Sequence, residues 1–157
     1  MHTKKILILL SLFVNLSGQD TQWPTDAGNS YSSNFGEYRD DHFHMGLDIR
    51  TKGTIGHKVF AVENGYIFKV ITNYSGYGKA IYQKTISGKT IVYAHLDKFS
   101  PVMERVVKLQ QAKNKRYSIK TNFSSNEFRL QKGDIIGYSG DTGYAFGPNL
   151  HFEVRDK

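Results

Sequence analysis

A mainly antiparallel β fold with one short helix and long loops is what this sequence predicts, and three observations carry the prediction. Apolar runs of strand length recur between glycines, Asn-Gly and Ser-Gly pairs stand between such runs, and a single stretch opened by Ser100 and Pro101 switches to helical spacing. The length of 157 residues suits one domain, and no internal repeat or linker divides it.

Residues 58–62, 66–71, 79–84, 90–96, 134–138 and 150–155 read as strands, each rich in β-branched and aromatic side chains. Asn64-Gly65 and Ser87-Gly88 are expected to close tight hairpins, whereas Gly76, Gly78, Gly140, Gly143 and Gly147 punctuate longer loops. In the helical stretch Ser100 is placed to cap and Pro101 suits the first helical position. Val102, Val106 and Leu109 form the apolar stripe, through about residue 111. Residues 19–34 are polar and aperiodic, with the only tryptophan at Trp23, and are expected to form an extended arm.

Hydrophobic residues make up 39% of the chain and charged residues 22%, a mixture that builds a core and excludes a disordered or collagen-like chain. With no cysteine present, disulfide scaffolds, thiolate zinc fingers, iron–sulfur ligation, thiol nucleophiles and lipidation on a cysteine are excluded. A bound metal must therefore be held through nitrogen and oxygen.

The first eighteen residues have the pattern of an export signal. Lys4 and Lys5 precede a nine-residue apolar run over 6–14, followed by the small residues Ser17 and Gly18. The run falls well short of the roughly 20 residues needed to span a bilayer. The expected organisation is a signal peptide over 1–18, an N-terminal arm over 19–41 and one domain over 42–157, working outside the cytoplasm, secreted or in the periplasm and cell envelope. Loss of Lys4 and Lys5 lowers the formal charge by two, from +7 to +5. An exported basic chain meets anionic wall polymers rather than nucleic acid. The cluster Lys113, Lys115, Arg116 and Lys120 reads as a solvated helix end. The sequence stops at Lys157, directly after the last expected strand, which fits either a compact domain or a fragment lacking a closing strand.

Chemistry concentrates on the histidines. His44 and Asp48 lie four apart, but Gly46 between them and the following Thr51-Lys52-Gly53 favour a bent, strand-like loop that can aim both side chains at one point. In residues 149–155 the alternation is strict: Asn149, His151, Glu153 and Arg155 share one face and Leu150, Phe152 and Val154 the other, which is expected to enter the core. His95 ends a strongly apolar strand, where a polar side chain needs a partner. Two imidazoles and a carboxylate are the donors of an open catalytic zinc site. Spacing by itself also fits a chance pairing, and His95 also fits a satisfied core histidine.

Four motifs occur in a fixed order: HFHMGLDIR over 42–50, VYAHL over 92–96, GDIIGYSG over 133–140 and GPNLHFEV over 147–154. Together they resemble the lysostaphin-like (LytM-type) zinc metallopeptidases, which are peptidoglycan endopeptidases. The resemblance runs from about His42 to Arg155. It implies an antiparallel β-sheet or sandwich whose groove holds Zn2+, bound here by His44, Asp48 and His151, with His95 as the catalytic histidine beside it. It also implies peptidoglycan stem or cross-link peptides as substrate. Tyr38, Tyr93, Tyr144 and Phe146 are candidates to line the groove or to pack in the core.

One position departs from the family pattern. The last motif of the family is His-x-His, with a catalytic first histidine, whereas this chain has Asn149 there. Asparagine does not titrate, so a proton-transfer group is lost while a hydrogen-bonding one remains. His42 is a candidate substitute, or a surface histidine. The rival expectation is therefore a zinc-retaining, catalytically impaired module that binds the cell wall or regulates other wall enzymes. The sequence leaves the oligomeric state open.

Overall fold

The structure is a computed structural model and describes residues 21–39 and 42–156. The expected signal peptide lies outside the described residues. In chain order the strands are β1 (Tyr31–Ser33), β2 (Leu47–Arg50), β3 (Lys58–Phe60), β4 (Gly65–Thr72), β5 (Ala80–Thr85), β6 (Thr90–Ala94), β7 (Leu96–Phe99), β8 (Ile119–Asn122), β9 (Arg129–Leu130), β10 (Ile135–Ser139) and β11 (Asn149–Arg155). The helix α1 (Pro101–Asn114) lies between β7 and β8.

The larger sheet has the order β1-β2-β11-β6-β5-β4-β8, with β9 also pairing with β4, and the smaller has the order β3-β10-β7. Every pairing is antiparallel. The main core lies where both sheets and the helix meet, around Ile49, Val70, Ile81, Tyr93, Leu96, Phe99, Met103 and Leu150. The opposite face of the large sheet carries a second cluster, Ala80, Tyr82, Val92 and Ala94, covered by Phe68, Ile71 and Tyr77. Strands β5 and β6 thus bury both faces, which is why they read as continuous apolar runs rather than as alternating ones.

Several sequence expectations need correction. The run over 90–96 is two strands, because His95 takes φ 60° and turns the chain out of the large sheet at Ala94 and into the small one at Leu96. A non-glycine residue in this region is uncommon. Asn64-Gly65 closes no hairpin, since β3 and β4 belong to different sheets. Gly65 serves close strand approach instead: a Cβ there would overlap the Lys84 carbonyl oxygen and lie 2.9 Å from Thr85 Cα. Ser87-Gly88 does close the β5–β6 hairpin, where Thr85 N–H donates to Lys89 O at 3.0 Å and Gly88 has φ 90°.

The helix runs further than expected, to Asn114, and ends on Lys115 in the left-handed conformation. Ser100 makes no side-chain cap. Glu104 closes the first turn instead, its Oε2 accepting Phe99 N–H at 3.0 Å. Its buried residues are Met103 and Val107, not the stripe of Val102, Val106 and Leu109, since Val102 and Leu109 are exposed. The helix packs chiefly against β7 and β8, so a narrow i, i+4 strip suffices and most of the neighbouring stripe faces solvent. Lys113, Lys115, Arg116 and Lys120 are all exposed. Among the described residues no helix is long and apolar enough to cross a membrane.

Candidate metal centre

Strand pairing builds the site. β2 and β11 are neighbours in a register that sets Asp48 directly opposite His151, and β11 and β6 pair His151 with Ala94, the residue before His95. His44 precedes β2 and is held by two backbone bonds, His44 N–H to Glu37 O and Gly36 N–H to His44 O, each 2.8 Å. The bend at Gly46 then brings its ring against β11.

Three donor atoms converge. His44 Nε2 lies 3.0 Å from His151 Nδ1 and 3.1 Å from Asp48 Oδ1, and His151 Nδ1 lies 2.9 Å from Asp48 Oδ1. Among the described residues this is the group of histidine and carboxylate donors arranged to hold a metal ion. Zinc bonds of about 2.0–2.1 Å set donors roughly 3.3 Å apart around a tetrahedron, close to the triangle found here.

The partners behind each ligand decide which lone pairs face inward. His44 Nδ1 is 2.8 Å from the Asn34 carbonyl oxygen, an acceptor only, so Nδ1 carries the proton and Nε2 presents its lone pair. His151 Nε2 donates to Glu153 Oε1 at 2.9 Å, which frees Nδ1 in the same way. Asp48 turns Oδ1 inward while Oδ2 accepts Arg39 Nη2 at 3.0 Å. Burial opposes ionisation of Asp48, but when the imidazoles are protonated the His151 Nδ1–H bond and the His44 and His151 charges, together with the Arg39 bond, outweigh it and hold its pKa at about 2. Two nitrogen lone pairs and an anionic oxygen facing one another at about 3 Å repel unless something positive lies between them. A proton on His151 Nδ1 serves one contact well, whereas a cation at the centre serves all three.

His95 stands beside this group, its ring centroid 5.7 Å from that of His151. Nδ1–H donates to Thr142 O at 2.7 Å, so Nε2 is the free, basic nitrogen. Burial dominates its titration and, helped by His151 and His44, pushes its pKa below 6.5 against the opposing pull of Thr142 O and Asp48. The ring is neutral at pH 7 and able to accept a proton.

No protein-family model matches the chain. A sequence relative is the DD-carboxypeptidase/endopeptidase Mpg of Neisseria meningitidis serogroup B, 30% identical over 80 residues, a segment that is 51% of this chain and only 13% of that protein. Among solved structures, the catalytic domain of the antimicrobial peptidase lysostaphin from Staphylococcus simulans is 25% identical with a TM-score of 0.57, over 80% of this chain and 78% of that one. A zinc-containing peptidase from Vibrio cholerae is 24% identical with a TM-score of 0.61, over 84% of this chain and 35% of that one. This chain has the lysostaphin-like fold. The sequence motifs and the structure thus point to the same group of peptidases.

Within the lysostaphin-like fold, the residues singled out in the sequence fall as follows. His44, Asp48 and His151 meet, and His95 is adjacent. Asn149 lies two residues before His151 on the same strand. Its Nδ2 donates to Gly147 O at 3.0 Å, while its buried Oδ1 has no hydrogen-bond partner among the described residues. His42 is exposed and outside the three-donor group. Tyr93 does not line the groove: it is fully buried in the core, its hydroxyl donating to Gln83 Oε1 at 2.6 Å. Tyr38, Tyr144 and Phe146 are exposed.

The polar face of β11 is not a solvent face. Glu153 is 1% exposed whereas Val154, expected in the core, is 54% exposed. Sequence reading missed the groups behind the ligands: Arg39, the Asn34 carbonyl, Glu153, Tyr77 and Thr142. Of these only Glu153 had a signal, its place on the His151 face of the strand.

Gly46 is set by close approach. A Cβ there would overlap the Phe152 carbonyl oxygen and lie 2.8 Å from Glu153 Cγ and 3.1 Å from His151 Nε2. Gly46→Ala is therefore expected to destabilise the protein by about 1–3 kcal/mol, as overpacking of a tight interior does. It should also weaken metal uptake. Thermal unfolding and zinc titration of the variant check both, and a variant with unchanged melting temperature and zinc affinity contradicts this account of the glycine.

Proposed function

We propose that the protein is a secreted zinc metalloendopeptidase that hydrolyses peptide bonds in the stem or cross-link peptides of peptidoglycan. The observation that carries the reading is the convergence of His44 Nε2, Asp48 Oδ1 and His151 Nδ1, each with its lone pair turned inward by a partner behind it. Three protein donors are the composition of a catalytic zinc site rather than a structural one, which takes four. When bound, the ion supplies Lewis-acid polarisation of a carbonyl and lowers the pKa of water that it holds. His95, neutral with Nε2 free, is the group of this chain that accepts a proton from the nucleophile and returns it to the departing amine. Asn149 takes the place of the family's second catalytic imidazole and acts through hydrogen bonding alone. Support for the substrate comes from the relatives, which include a DD-carboxypeptidase/endopeptidase and lysostaphin.

The export signal over 1–18 supports action outside the cytoplasm, and the excess of positive charge supports contact with an anionic wall polymer. The test is release of peptide fragments from purified peptidoglycan by the mature protein, with and without chelator. Chelator-sensitive release is expected, and binding without release contradicts the reading in favour of a wall-binding module.

Asn149 makes a separate prediction. Restoring an imidazole with Asn149→His is expected to raise the rate by about 10²-fold, the lower end of what a positioned acid–base group contributes, with zinc content unchanged. Steady-state rates beside metal analysis check this. An unchanged rate would mean that the amide already meets the need at this position.

A further inference from the structure

We propose that Glu153 and Tyr77 are positioning residues that orient His151 for metal binding and hold His95 in register with it. The inference rests on the zinc reading above and concerns how this chain prepares the site.

Glu153 is a carboxylate buried to 1% exposure within β11, a place where a charge is costly unless it is paired and hydrogen-bonded. Hydrogen bonds from His151, Arg155 and Tyr77 offset the cost of burying it. Oε1 accepts both His151 Nε2–H at 2.9 Å and the Tyr77 hydroxyl at 2.5 Å, and Oε2 accepts Arg155 Nε–H at 2.5 Å. Arg155 Nη2 also donates to the Tyr77 oxygen at 3.1 Å, closing a ring of three side chains. A carboxylate behind an imidazole fixes the tautomer and raises the basicity of the nitrogen that faces the metal.

Tyr77 links this ring to the other half of the site. Its ring lies 5.4 Å from that of His151, and its backbone carbonyl accepts His95 N–H at 3.0 Å, at the residue with φ 60°. Two residues on, Lys79 N–H donates to Thr142 Oγ1 at 2.9 Å, and Thr142 O is the acceptor for His95 Nδ1. Gly78 permits this contact, since a Cβ there would overlap Thr142. One short segment thus touches the metal ligand through a side chain and the proton acceptor through the backbone. A shift of Tyr77 moves both.

The test is zinc titration of the chelator-treated protein in competition with a chromogenic chelator, together with the visible spectrum of the Co2+ form, for the parent, Glu153→Gln and Tyr77→Phe. Tyr77→Phe keeps the ring and the backbone bond and removes only the hydroxyl. The expected result for Glu153→Gln is a 10- to 100-fold loss of zinc affinity with a changed cobalt spectrum. Tyr77→Phe should show a smaller loss in the same direction and a fall in kcat with KM unchanged. Thermal unfolding of the metal-free forms reads structural damage separately. Folded variants with parental zinc affinity and parental cobalt spectrum would overturn the proposal, and Tyr77→Phe decides alone if Glu153→Gln does not fold. A parent that takes up no zinc would instead overturn the zinc reading itself.

Discussion

Replacing His151 with alanine is expected to abolish zinc uptake and to lower peptidoglycan hydrolysis by about a thousandfold or more. His151 Nδ1 is one corner of a triangle whose edges are 2.9, 3.0 and 3.1 Å, and a site with three protein donors has no spare one. The Lewis acidity that depends on it is worth several kcal/mol in the transition state, and about 4 kcal/mol corresponds to about three orders of magnitude in rate. Removing the ring also leaves Glu153 buried without its imidazole partner, so a loss of thermal stability should accompany the loss of metal. Asp48→Asn is expected to act in the same direction, because a neutral amide replaces the anionic donor that faces two imidazoles. Metal content by mass spectrometry, measured beside peptide release from purified peptidoglycan, checks both variants. Full activity without zinc in either of them contradicts the assignment.

His95→Ala should separate chemistry from metal binding. His95 is not one of the three converging donors, so zinc content is expected to stay at the parental level while the rate falls by about 10²- to 10⁴-fold, the usual contribution of a positioned acid–base group. The pH profile adds a sign. Burial above all pushes the His95 pKa below its ordinary 6.5, so the neutral, proton-accepting form prevails at pH 7 and is lost only as the pH falls through that lowered value. Activity of the parent is expected to hold through neutrality and to decline on the acid side below pH 6.5. His95→Ala should lack that acid limb. A variant that keeps the limb would show that another group carries the proton, and one that loses zinc would show that His95 serves the metal site instead.

The site was more legible in the sequence than its supports were. His44, Asp48 and His151 are side chains with a chemical signature and a spacing, and the strict alternation of residues 149–155 already put His151 and Glu153 on one face. What alternation could not reveal was that both faces of this sheet are covered. Residues 73–79 close over the second face through Tyr77, so the polar side of β11 became an interior and Val154 was left outside. Asn34 and Thr142 act through backbone carbonyls, which no residue type advertises. Arg39 reaches Asp48 from the N-terminal arm, a segment without periodicity, through a bond that only the β1–β2 pairing makes intelligible.

The break at His95 was hidden for a related reason. Left-handed backbone at a non-glycine residue is imposed by tertiary context, here the Tyr77 carbonyl and the switch between two sheets, and local propensity argues against it. The helix is legible from Pro101 and the switch to helical spacing, but its buried stripe is not, since two neighbouring stripes, 102/106/109 and 103/107, are both apolar and only the packing partner chooses between them.

X-ray absorption at the zinc edge on the protein reconstituted with one equivalent of Zn2+ reads the three-donor site itself. The expected spectrum is that of a four-coordinate ion with two imidazole nitrogens and oxygen donors at about 2.0–2.1 Å. Neither His44→Ala nor His151→Ala is expected to keep this shell, and zinc added to them should show only the spectrum of the hydrated ion. A six-coordinate, all-oxygen shell in the parent protein, or a parental spectrum that persists in both variants, would contradict the three-donor site.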